Sequence, residues 1–245
     1  MSDRNMRAVW EERSRREQAE FIRRIAGRLG RTEADRDRPP EHPFRGAPDF
    51  WQAWELSPEQ RIERFMNNWT QAGGHAVRMA SMEEVRRFIA DFCKETGASS
   101  LVVQDQELLR GLRLDQGEDV PACTVWNAAE QSAEDLVSAA ASADIGVAVA
   151  DYAVAYTGTV VVRSGQRQGR STSLLPQVFM AIVPVSAVKT RMGEVMADLD
   201  RCQAGQDIPA GIHFISGPSR SSDIENDLTI GVHGPGIVYA LIVDA

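Results

Sequence analysis

Ser216-Gly-Pro-Ser-Arg220-Ser-Ser-Asp223-Ile-Glu225, closely followed by Gly231-Val-His233-Gly-Pro235, concentrates polar groups near the end of this 245-residue chain. The apolar run 212–215 before it predicts a buried strand, and Gly217-Pro218 stops that strand because proline has no N–H for the ladder. Ser222 with Glu225 three residues on has the pattern of a capping box, so a short helix is expected to open there with its free N–H groups beside Ser219 and Arg220. A strand, a tight turn and a helix start next to a guanidinium would form an anion cradle.

Each residue of this stretch also has a plainer use. Arg220 could grip a carboxylate or phosphate with two prongs, or brace its own loop through Asp223 or Glu225. Ser219, Ser221 and Ser222 could donate to an anion, but serines after Gly-Pro also serve as caps and turn formers. Asp223 and Glu225 fall in the first helical turn, where the dipole favours carboxylates without any catalytic purpose. His233, between two glycines, is a better ligand-binding candidate than His42, His75 or His213, although packing within the turn also accounts for it. His213, Asp223, Glu225 and His233 lack a recognised ligand spacing, so no metal is expected, and no residue is assigned a catalytic role.

A second cluster lies upstream, in Ala150-Asp151-Tyr-Ala-Val-Ala-Tyr156-Thr157-Gly158-Thr159. Gly158 suits a turn with positive φ, and Asp151, Thr157, Gly158 and Thr159 could either satisfy that turn or form a ligand wall facing Arg220. The loop 165–173, with Arg163, Arg167 and Arg170 around it, could cover an anion as a lid or be a plain mobile loop. Neither a P-loop ending, nor Gly-x-Gly-x-x-Gly, nor a Gly-x-Ser-x-Gly elbow is present.

Further outward, apolar spacing predicts a helix over 5–29 ended by Gly30, then a Pro- and charge-rich linker over 31–50 and an α/β domain over 51–245. Ser57-Pro58-Glu59-Gln60 predicts a capped helix to about Ala72. Strands are expected over 75–79, 101–103, 123–126, 145–150, 159–163, 178–183, 212–215 and 237–243. Helices are expected after Ser81 to Thr96, after Ser132 over 136–141, and over 186–199. The strand–helix rhythm favours a parallel sheet, and ligands of such sheets gather beyond the carboxyl ends of strands, where Asp151, Pro184 and the 217–223 loop are expected to meet.

A net charge of −8 argues against nucleic acid as a partner. The arginines of the first helix alternate with glutamates, which suits a solvated, ion-paired face. Cys93, Cys123 and Cys202 are widely spaced and form neither a zinc nor an iron–sulfur run. The most apolar segment, 137–154, is cut by Asp144 and Asp151, so no membrane span is expected and the chain is placed in the cytoplasm.

The motifs GPSRSSDIE and GVHGP, with the apolar ending 237–243, resemble the carboxyl end of the LUD-domain family in its lactate-utilization C branch. The segment from Asp151 through Thr157-Gly158-Thr159, Val183-Pro184, and the helix from Phe21 to Arg31 are similar to the family's other hallmarks. One position departs: the family usually carries an acidic residue where Tyr156 stands, which leaves any role of that carboxylate vacant. The resemblance implies a Rossmannoid three-layer fold of the NagB/RpiA/CoA-transferase type, with a mixed sheet and an N-terminal helical extension. It also implies a non-redox component of L-lactate oxidation to pyruvate that binds a small anionic ligand. Iron–sulfur clusters would sit in partner proteins, with none in this chain. The alternative is a stand-alone enzyme of the wider fold group acting on a phosphate, thioester or folate.

Overall fold

The structure is a computed structural model that describes residues 3–31, 55–116, 120–204, 208–221 and 228–244. It divides into two compact units, Met1–Trp54 and Glu55–Ala245. In the first, helix α1 (Asp3–Arg28) carries ion pairs between Arg13 and Glu17 (2.8 Å) and between Arg15 and Glu11 (3.8 Å). Both pairs are solvent-exposed, as the alternating charges predict, and add little stability. The expected boundary near Phe50 and nearly all of the 31–50 linker lie outside the described residues.

The second unit is built on a six-stranded parallel sheet. Its strands are β1 (His75–Met79), β2 (Ser100–Gln104), β3 (Ala122–Trp126), β4 (Ile145–Val149), β7 (Val178–Pro184) and β12 (Ile237–Val243), in the order β1-β12-β7-β4-β2-β3. Central strands β4, β7 and β12 are almost wholly buried, which is why they read as unbroken apolar runs. One face is covered by α3 (Met82–Thr96) and α4 (Glu107–Leu112), through Val85, Ile89, Leu109 and Leu112.

The other face carries α2 (Pro58–Gln71), α5 (Ala133–Ser142), the short α6 (Ser171–Leu174) and a second sheet. That sheet holds β5 (Tyr152–Val154), β6 (Thr159–Ser164), β8 (Val188–Lys189) and β9 (Gly211–Ile215) in the order β8-β5-β6-β9, with mixed pairing. Helix α7 (Met192–Ala204) lies against its outer side through Val195 and Leu199. The result is the expected three-layer α/β arrangement.

Three of the expected caps form where the sequence places them. Ser57 Oγ accepts from Gln60 N (3.3 Å) while Gln60 Oε1 accepts from Ser57 N (2.9 Å), and Ser81 and Ser132 cap α3 and α5. Two expectations change. The helix expected over 186–199 starts only at Met192, because Val185–Ala187 forms a 3₁₀ turn, Val188–Lys189 is drawn into a strand beside β5, and Glu194 Oε1 caps the backbone of Arg191 (3.0 Å). The strand ending at Ile215 is not buried: it is the edge of the second sheet, and Phe214 is 45% exposed.

Candidate functional site

The turn between β5 and β6 is fixed from outside by one side chain. Asn68, on α2, donates from Nδ2 to the carbonyls of Ala155 and Tyr156, both at 2.8 Å. Tyr156 therefore serves the turn through its backbone, with its N–H donating to Thr190 O (3.1 Å). Gly158 has φ +58°, and a Cβ there would stand 2.5 Å from Trp69 N, so left-handed backbone and close approach both demand glycine. Behind the turn, the hydroxyls of Thr157, Thr159 and Ser216 form a chain with 2.7 Å links, and Thr159 is buried.

Ser216 leads into Gly217, whose φ of +80° lets its Cα rest on Ala72 at the end of α2. From there the chain pairs with the segment before β12. Ser219 N donates to Pro235 O and Gly231 N donates to Ser219 O, both at 2.9 Å. Two short strands, β10 (Arg220–Ser221) and β11 (Thr229–Ile230), pair antiparallel. Arg220 and Ser221 are thus held in a short strand, and the N–H of Ser219 is already spent on Pro235 O. Ser222, Asp223 and Glu225, with the helix expected from them, lie outside the described residues.

Arg220 is exposed, and a Cβ at Gly73 would stand 2.8 Å from its Nη2. The guanidinium therefore sits over the turn that ends α2, where a helix dipole favours positive charge. Among the described residues it has no carboxylate partner.

The 229–237 segment faces 174–177 across a cavity of about 630 Å³. Its walls are Leu174, Leu175, Pro176 and Gln177 on one side and Ile230, Val232, His233 and Ile237 on the other. Gln177 O ties the sides together, accepting from Gly236 N (3.0 Å) and Ile237 N (3.2 Å). The side chain of Ser219 lies beside Gly234, where a Cβ would meet Ser219 Cβ at 3.3 Å. The N–H groups of Val232, His233 and Gly234 have no acceptor among the described residues, and all three residues line the hollow. Such a concave run of amides is suited to a small anion.

The cavity precedes β7 and β12, so it lies at the amino edge of the parallel sheet, together with Gly73, Gly217 and Arg220. Asp151 and Pro184 lie at the carboxyl ends, a strand length of about 20 Å away. The candidates therefore do not converge as expected. Asp151 is committed elsewhere: its carboxylate accepts from Arg163 N (2.8 Å) and Arg163 Nε (2.7 Å), holding the start of β5 to β6. The structure brings together Thr157, Gly158, Thr159 and Gly217, and next to them Ser219, Arg220, Ser221 and His233. The sequence signal missed Asn68 and the 174–177 wall. Asn68 carries no motif, and 174–177 joins the site only through tertiary pairing.

The basic loop is pinned at several points. Asp105 N donates to Arg167 O and Ala128 N donates to Gln166 O (both 2.9 Å), and Gln104 Nε2 donates to Gly169 O (3.3 Å). His213, near Arg170, is held below the ordinary imidazole range by burial first and by that positive charge second. Burial pushes Cys93 up to about 11 and Cys123 up to about 12, so both thiols are protonated and unreactive at neutral pH. No group of three His, Cys, Asp or Glu residues among the described residues could hold a metal ion, and no described helix is long and apolar enough to cross a membrane.

Comparison with known proteins agrees with this architecture. Residues 62–243 match the LUD domain family. A lactate utilization protein C from Halalkalibacterium halodurans is 34% identical over 91% of this chain and 96% of its own length. The uncharacterized protein YkgG of Escherichia coli (strain K12) is 30% identical over 92% of this chain and 97% of its own. In three dimensions, a DUF162 family protein from Deinococcus radiodurans superposes with a TM-score of 0.56 at 18% identity, covering 77% of this chain and 99% of the other, which supports the fold.

Proposed function

The chain belongs to the LUD domain family, and on that premise we propose that it serves lactate utilization as a non-redox subunit that binds a small carboxylate in the cavity between 174–177 and 229–237. The observation that carries the ligand is the row of amides at Val232, His233 and Gly234 without an acceptor among the described residues, on residues that line a hollow large enough for a three-carbon acid. Support for the pathway comes from relatives that align over about nine-tenths of the chain, 91% and 92%, and are named for lactate utilization. Electron transfer is assigned to iron–sulfur proteins working with it, since Cys93, Cys123 and Cys202 lack the spacing of a cluster-binding run.

Calorimetric titration with sodium L-lactate, pyruvate and phosphate tests this reading. One of the two carboxylates binds, and His233→Ala weakens it about tenfold, roughly 1.4 kcal/mol, while the melting temperature holds. Titrations in which no small carboxylate binds would refute the ligand, and unaided turnover of lactate with an artificial electron acceptor would refute the non-redox assignment.

A further inference from the structure

Among the described residues, three buried side-chain polar atoms lack a hydrogen-bond partner: Gln104 Oε1, Trp126 Nε1 and Thr172 Oγ1. Their residues are 1%, 8% and 0% exposed, so bulk water does not reach them. They are neighbours, and Gly169 is their common centre. Gln104 and Trp126 are register partners at the ends of β2 and β3. Gln104 Nε2 donates to Gly169 O at 3.3 Å, and the same oxygen accepts from Thr172 N at 3.2 Å. The Cα of Gly169 lies against the indole at Cε2, the carbon bonded to Nε1, where a Cβ would overlap the ring.

Turning the Gln104 carboxamide over does not remove the problem, because Oε1 would then face Gly169 O, acceptor against acceptor, where Nε2 now donates. The set left over is one N–H donor, one carbonyl acceptor and one hydroxyl able to play either part. The donor and acceptor count matches one water molecule, which would accept from Trp126 Nε1 and donate to Gln104 Oε1 and Thr172 Oγ1. Leaving three such groups dry in one place is far costlier than immobilising one water.

We propose that Gln104, Trp126 and Thr172 form a binding site for one resident water molecule, and that this water fastens the 165–177 strap to the main sheet. The strap crosses the sheet from the carboxyl ends of β2 and β3 to the amino edge. There its last residues, 174–177, become the cavity wall that Gly236 and Ile237 hold through Gln177 O. The three side chains are therefore positioning residues for a cavity they do not line. Only this last consequence rests on the function proposed above.

The test uses the full chain. In a crystal structure at about 1.5 Å, a water lies within hydrogen-bond reach of all three atoms, and in solution the indole N–H of Trp126 shows a direct cross-relaxation peak to a long-lived water. Trp126→Phe and Thr172→Val each lower the melting temperature by several degrees, because the water keeps too few partners. The triple variant Gln104→Leu, Trp126→Phe, Thr172→Val loses the water and recovers part of that drop, a reversal that independent packing losses cannot give. Absence of a water peak at Trp126, a molecule larger than water in the density, or strictly additive losses in the triple variant would each overturn the proposal. Loss of carboxylate binding in His233→Ala, with unchanged binding in Trp126→Phe, would leave the cavity reading standing and remove the strap's part in it.

Discussion

Gly146→Ala should be among the most damaging single-methyl additions to this protein, and the reason is local. Gly146, in β4, lies directly beneath α6. A Cβ at that position would overlap the Thr172 carbonyl oxygen and come 3.0 Å from its carbon and 3.1 Å from Pro176 Cγ. Gly146 pairs with Val102 on one side and Phe179 on the other, so β4 cannot retreat. The strap must move instead, by about 1 Å or more to restore ordinary contact. Overpacking of this kind costs about 1–3 kcal/mol, and strain on the two bonds to Gln177 O adds up to about 1 more. At roughly 2–4 °C per kcal/mol for a domain of this size, a total of about 1–4 kcal/mol should lower the melting temperature by about 2–16 °C. Gly193→Ala is the control: it lies in α7 with nothing within 4 Å of a new Cβ, and should leave stability unchanged or raise it by up to about 1 kcal/mol. Thermal unfolding followed by circular dichroism reads both. A Gly146→Ala protein melting within about 2 °C of the parent would refute the tight strap crossing.

Asp144 gives the pH dependence. Its carboxylate accepts from Ser99 N, Ser99 Oγ, Ser100 N and Ser100 Oγ, and these bonds, the Ser99 backbone N–H foremost, hold its pKa below the usual carboxylate value. A depressed folded pKa means the contribution is present above the unfolded value near 4 and is lost as pH falls through the folded one. Denaturant titrations at pH 7 and pH 3 should show Asp144→Asn costing about 1–2 kcal/mol at the higher pH and less at the lower; an equal loss at both would count against it. For Arg220, seated over Gly73 at the end of α2, alanine should cost about 0.3–1 kcal/mol and lysine should restore most of it, because the dipole responds to charge rather than to shape. If instead Arg220→Ala leaves the melting temperature untouched and abolishes carboxylate binding by calorimetry, the guanidinium is a ligand contact.

Local signals in the sequence carry the secondary structure well because they act within a few residues. Ser57, Ser81 and Ser132 cap the helices they announce, and the apolar run 237–243 is a central strand along its whole length. The late start of α7 escaped because Val188–Lys189 is recruited by β5, a partner more than thirty residues away, and pairing over that distance overrides local helix propensity.

The site divides in the same way. Sequence alone determined that Gly158 sits in a turn demanding positive φ and that the 216–221 and 231–235 motifs are rich in polar and turn-forming residues, since turn sterics and residue type are properties of short segments. Only tertiary structure decided where those motifs go. Asp151 and Thr159 stand close together in the chain, yet Asp151 is held at one end of β6 by Arg163 and Thr159 opens the other end, about 13 Å away along the strand. The loop after β9 reaches the amino edge because β9 runs antiparallel to β6, and the cavity exists only because the strap over Gly146 delivers 174–177 to face 229–237. Strand direction and the crossing of distant segments are fixed by packing of the whole core, which no local pattern encodes.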